Sequence, residues 1–224
     1  MGRDIVLDTP SGGIGAWRAD PVAAPRGGLV VVQEIYGVNE HIRSVAERYA
    51  AEGYVALAPA FFDAAGEAHG IELDYTRGDT NRGRALVDRL GLDAALAIVG
   101  AAARQLQGEG LKVGVVGFCW GGTVALLANT RLGLPASSYY GARNVPYLDE
   151  PLRAPMQFHF GGKDPSIPEE AVAAHRDRQP GAEVFFYPDA GHAFNRDIDP
   201  NHYHAASARE AHARTMVLFA DALG

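Results

Sequence analysis

The chain has 224 residues, of which 47% are hydrophobic and 21% charged, with a net charge of -7 and a single cysteine. That is enough apolar material for one domain with its own core, and one cysteine excludes an intrachain disulfide. The acidic balance argues against a general nucleic-acid binder, and Met1-Gly2-Arg3-Asp4 runs into a β-like stretch with no apolar segment behind it. The expectation is a cytoplasmic protein without a signal peptide or membrane span.

In chain order, Ile5 to Leu7 and Ile14 to Arg18 read as an opening hairpin, and Gly28 to Gln33 as a buried strand. His41 to Ala51 carries its apolar residues on one face and reads as a helix stopped at Gly53. Tyr54 to Ala58 is then a strand ended by Pro59. The alanine-rich segment Asn81 to Gln107 reads as helix, broken near Gly91. Lys112 to Val116 is a short β-branched strand. Ala136 to Tyr140, Met156 to Phe160 and Glu183 to Tyr187 supply three more, with a Pro168 to Arg178 helix between the last two. Tyr203 to Ala222 is a closing helix. This alternation predicts an α/β fold, a mostly parallel central sheet of about seven or eight strands with helices on both faces, in one domain over residues 1–224.

The strand at Val116 leads into Gly117-Phe118-Cys119-Trp120-Gly121-Gly122 and then an apolar helical stretch. Strand, tight turn and helix with a thiol at the apex is the pattern of a nucleophile elbow, where flanking glycines let strand and helix approach closely. A helix N-terminus directly behind the sulfur favours negative charge there. In such sheets chemistry collects at the carboxyl ends of strands. Two further strands end in Gly161-Gly162-Lys163-Asp164 and in Asp189-Ala190-Gly191-His192-Ala193-Phe194. The order nucleophile, acid, base fits the fold. His192 holds the thiolate as an ion pair or removes its proton, and Asp164 fixes the imidazole. Asp189 competes for the acid role but lies very close to His192 in sequence. Backbone N–H groups of Trp120 and, in the Gln33 to Gly37 loop, Ile35 are the expected oxyanion hole.

Gln33-Glu34-Ile35-Tyr36-Gly37, the Cys119 elbow, Gly161-Gly162-Lys163-Asp164 and Ala190-Gly191-His192-Ala193-Phe194 together resemble the signature segments of the dienelactone hydrolase family, also called carboxymethylenebutenolidases, with the similarity running from about Ile5 to Leu223. The resemblance implies the α/β-hydrolase fold and a cofactor-free hydrolase of lactone or ester bonds, with Cys119, Asp164 and His192 as triad. It implies that Glu34 gates the nucleophile by contacting the resting thiol. It implies a substrate carboxylate bound by Arg196 and by an arginine of the segment Arg77 to Leu90, taken as Arg82, with Arg77 and Arg84 as the other choices. The chain departs from the dienelactone enzymes at Ala193, where they carry serine, and offers no tyrosine beyond Tyr75 near that segment. A different lactone, a small ester or a thioester therefore stays open as substrate. So does a thiol redox or ligand-binding protein on the same fold, which the presence of Asp164 and His192 disfavours.

His202, His204 and His212 near Asp197 and Asp199 match no zinc spacing, so no metal site is expected. The expected partners are a small-molecule lactone or ester, with no nucleic acid and no membrane, for a monomer or small homo-oligomer.

Overall fold

A computed structural model describes residues 2–224. The chain divides into two compact units. One runs through Gly114 and includes Leu223, and the other comprises Val115–Ala222 and Gly224.

In the first unit, β1 (Arg3–Thr9) and β2 (Gly12–Ala19) form the expected antiparallel hairpin, with Ile5 opposite Ala16. Strand β2 pairs antiparallel with β4 (Tyr54–Pro59), which pairs parallel with β3 (Gly27–Val32). Every residue of β3 and β4 is buried. That explains their continuous apolar runs, since a parallel strand covered on both faces has no polar side to show. Helix α1 (Glu40–Ala51) packs on β4 and starts where the Asn39 side chain accepts the Ile42 N–H. The long helical segment is two helices, α2 (Arg77–Leu90) and α3 (Leu92–Gly108), broken at Gly91 as its sequence predicts. Helix α2 begins four residues earlier than the alanine-rich pattern suggests, because Thr76 caps it through the Asp79 N–H.

The second unit holds β5 (Val113–Phe118) from Val115 onward, β6 (Ala136–Tyr139), β7 (Met156–Gly161) and β8 (Glu183–Tyr187), paired in that order and all parallel. The register sets Phe118 beside Tyr139, Tyr139 beside His159, and Gly161 beside Tyr187, so the strand ends that carry the signature motifs finish level. Helix α4 (Trp120–Leu127) is wholly buried and runs into a π-helical turn at Ala128–Leu132 that the sequence pattern does not reveal. Helix α5 (Glu169–Arg178) packs on β8, and α6 (Ala205–Leu223) closes the chain. The last helix starts two residues later than its periodicity suggests because His204 serves as its cap, accepting the Ser207 N–H. Among the described residues no helix is long and apolar enough to cross a membrane.

Candidate active site

Cys119 stands between β5 and α4 with φ 55° and ψ -117°, a left-handed conformation that a cysteine adopts only when its surroundings impose it. Those surroundings are visible. The Cys119 N–H donates to the Tyr139 carbonyl at 3.0 Å, and the Cys119 carbonyl accepts the Gly122 N–H at 3.0 Å. Strand and helix close so tightly that a Cβ on Gly117 would sit 1.8 Å from the Gly121 carbonyl oxygen. The elbow thus exists because position 117 has no side chain.

Asp164 and His192 follow the ends of β7 and β8, and their loops are laced together by backbone bonds. Gly162 N–H donates to the Tyr187 carbonyl at 2.8 Å and Lys163 N–H to the Ala190 carbonyl at 2.8 Å. A Cβ on Gly161 would lie 2.6 Å from the carbonyl oxygens of Ala190 and Gly191, so glycine again permits the approach. The outcome is a line of three side chains. Asp164 Oδ2 lies 2.7 Å from His192 Nδ1, and His192 Nε2 lies 3.2 Å from Cys119 Sγ. The other carboxylate oxygen of Asp164 accepts the Ser166 N–H at 2.8 Å, so both oxygens are engaged and the orientation is fixed. Asp189, the rival acid in the sequence, instead meets Lys163 at 3.2 Å on the surface.

The remaining expected site residues lie as follows. Trp120 is buried at the start of α4, directly after Cys119. Glu34 and Ile35 are buried in the first unit after β3, where Gln33 braces the segment by donating to the Glu34 carbonyl and accepting the Phe61 N–H. Arg82 lies on α2 with its guanidinium 2.7 Å from Glu67. Arg77 opens that helix and Arg84 lies exposed on it. Arg196 is buried, and its Nη1 donates to Asp199 Oδ2 at 3.1 Å. Among the described residues no group of three His, Cys, Asp or Glu side chains is placed to hold a metal ion. His202 is 2.7 Å from Asp199 through Nδ1, and His204 caps α6.

A model of the dienelactone hydrolase family matches residues 14–223 of this chain. The chain belongs to the dienelactone hydrolase family. It is 30% identical over 205 residues to the carboxymethylenebutenolidase of Pseudomonas putida, covering 87% of this chain and 86% of that one. A protein of Escherichia coli strain K12, provisionally named a carboxymethylenebutenolidase, is 36% identical over 217 residues, covering 85% of this chain and 75% of that one. A solved structure from Klebsiella pneumoniae subsp. pneumoniae MGH 78578, provisionally described as a dienelactone hydrolase, agrees with a TM-score of 0.85 at 30% identity over 98% of both chains. The Pyrococcus furiosus esterase Pf2001, at 18% identity and a TM-score of 0.71 over 100% of this chain and 93% of that one, speaks for the fold alone. This member of the family is therefore a hydrolase on the α/β-hydrolase fold.

Two features of the site leave no mark that sequence reading finds. The ring of Tyr140, a residue at φ 40°, lies 5.1 Å from the His192 ring and 5.3 Å from that of Phe194. The other is a largely buried polar chain. Arg214 donates to the Tyr187 hydroxyl at 3.2 Å, Tyr187 meets His159 Nδ1 at 2.9 Å, and His159 Nε2 meets Thr215 Oγ1 at 3.2 Å. Thr215 in turn touches the hydroxyls of Tyr139 and Ser137 at 2.9 and 3.0 Å. Burial first, and the nearby Arg214 charge second, push His159 down to about 3, so it is neutral. The network joins α6 to β6, whose Tyr139 carbonyl holds the Cys119 N–H.

His192 behaves in the opposite way. Burial works against its imidazolium, but the neighbouring Cys119 sulfur as thiolate and the Asp164 carboxylate outweigh it and push the ring up to about 10. Since the folded state holds the proton more tightly than a free histidine of pKa about 6.5 does, the pair stabilises the fold fully below that pH. That contribution disappears as pH rises through about 10. The expected result is a kcat/KM profile for ester hydrolysis, corrected for the uncatalysed rate, whose alkaline limb falls near pH 10. An alkaline limb near the value of an ordinary histidine would contradict the coupling of the two side chains.

Proposed function

We propose that the chain hydrolyses a lactone or small ester by covalent catalysis at Cys119. The observation that carries this reading is the line from Asp164 through His192 to Cys119, at 2.7 and 3.2 Å. In the proposed reaction the Cys119 thiolate attacks the acyl carbonyl carbon. The carbon–oxygen ester bond breaks, and the His192 imidazolium protonates the departing oxygen, leaving a thioester on Cys119. His192 then takes a proton from water, the resulting hydroxide adds to the thioester, and the thiolate leaves as the carboxylic acid is released. Asp164 keeps the Nδ1–H of His192 pointed toward itself and Nε2 toward the sulfur. The Trp120 N–H stabilises the oxyanion. Family resemblance assigns the second donor to Ile35, nucleophile gating to Glu34 and substrate binding to Arg196 and Arg82.

The test is steady-state hydrolysis of the lactone named by the family, of a simple aryl ester and of a small acyl thioester. Turnover of at least one is expected. A folded protein inert toward all three would contradict the reading and favour a thiol protein without turnover.

A further inference from the structure

Two cations stand near the acid and the base of the proposed triad along the chain. Lys163 directly precedes Asp164, and Arg196 closes the turn after His192, its N–H donating to the Ala193 carbonyl at 2.9 Å. Each already holds a carboxylate of the chain itself. Lys163 meets Asp189 in an exposed pair at 3.2 Å, which solvent and salt leave weak. Arg196 meets Asp199 at 3.1 Å with side chains only 5% and 10% exposed. Asp199 is also fixed on both oxygens, Oδ2 lying 2.7 Å from His202 Nδ1 and Oδ1 accepting the Asn201 N–H at 3.2 Å. It cannot swing aside without breaking all three contacts.

These two pairs differ in what an incoming anion would meet. A surface pair opens at little cost, but removing one partner of a buried pair leaves a charge uncompensated in a poorly solvated place. A substrate carboxylate bound at Arg196 would either share the guanidinium with the like charge of Asp199 or leave Asp199 buried without its partner. Ala193, fully buried after His192, has no hydroxyl to offer that carboxylate in compensation. The overall charge of -7 adds no attraction for an anion.

We propose that Asp199 is a specificity-determining residue that occupies Arg196 in place of a substrate carboxylate, so that the substrate class is an ester or lactone with an uncharged acyl group. This rests on the hydrolase reading above and narrows it. Arg196 then serves as one half of a neutral wall rather than as an anion clamp, and discrimination comes from the cost imposed on the wrong substrate.

The experiment compares p-nitrophenyl valerate with mono-p-nitrophenyl glutarate, which share leaving group and acyl chain length and differ in one terminal carboxylate. The wild type is expected to show a kcat/KM for the valerate higher by about tenfold or more. Asp199→Asn, which keeps the shape and removes the charge, is expected to move that ratio by about tenfold toward the glutarate. A wild type that treats the two equally or prefers the glutarate overturns the proposal, whether or not the variant folds. A folded Asp199→Asn with an unchanged ratio overturns the role given to Asp199. Hydrolysis of neither ester overturns the reading beneath, and the proposal with it.

Discussion

Cys119→Ala is expected to remove hydrolysis by roughly three orders of magnitude or more while the protein stays folded. The sulfur is the atom that bonds to the acyl group in the proposed reaction, and no neighbouring side chain can replace it. The hydroxyls of Tyr139, Ser137 and Thr215 bond one another, and the Asp164 carboxylate is taken by His192 and Ser166. Alanine tolerates the elbow no worse than cysteine, since both must adopt φ near 55°, and Cys119 is only partly buried, so the cavity left is small. His192→Ala is expected to cost about as much, because members of such a line act as one unit and their losses do not add. The measurement is kcat/KM beside a thermal unfolding curve. Wild-type rates in a folded Cys119→Ala protein would sink the covalent mechanism.

Gly117→Ala is expected to destabilise the protein by about 3 kcal/mol or more, and to disable what remains folded. The added methyl would lie 1.8 Å from the Gly121 carbonyl oxygen and 2.3 Å from its carbon, and neither is the end of a flexible side chain. Relief requires α4 to move away from β5, which carries Cys119 out of reach of His192. By contrast, Gly108→Ala, where a Cβ meets nothing within 4 Å at the last residue of α3, should change stability little. Unfolding midpoints of the two variants separate close packing at the elbow from a general intolerance of alanine. Equal midpoints would mean that the elbow has room to relax.

The elbow was legible because its constraint is local. A β-branched run, glycines around one cysteine and an apolar run behind it leave few alternatives, and the loops bearing Asp164 and His192 end their strands in the same way. The buried strands were legible for the same reason, as continuous apolar runs. What was not legible depends on partners far apart in the chain. Thr215 meets His159 across 56 positions, and neither residue type nor spacing announces it. The Tyr139-Tyr140-Gly141 segment reads as a strand end, and only the packed rings bring Tyr140 against His192. Asp199 was visible as a charge among histidines, a grouping that resembles metal ligands. In the fold it resolves into an ion pair with Arg196, because a turn three residues long brings the two together.

The central claim is an acyl group carried by Cys119. Acid-quenched samples of the wild type, taken within the first turnovers of a p-nitrophenyl ester and digested for peptide mass spectrometry, test it most directly. The account predicts a mass gain of one acyl group on the peptide containing Cys119, absent from Cys119→Ala. The same gain on any other residue, with the Cys119 peptide unmodified at every quench time, would contradict it.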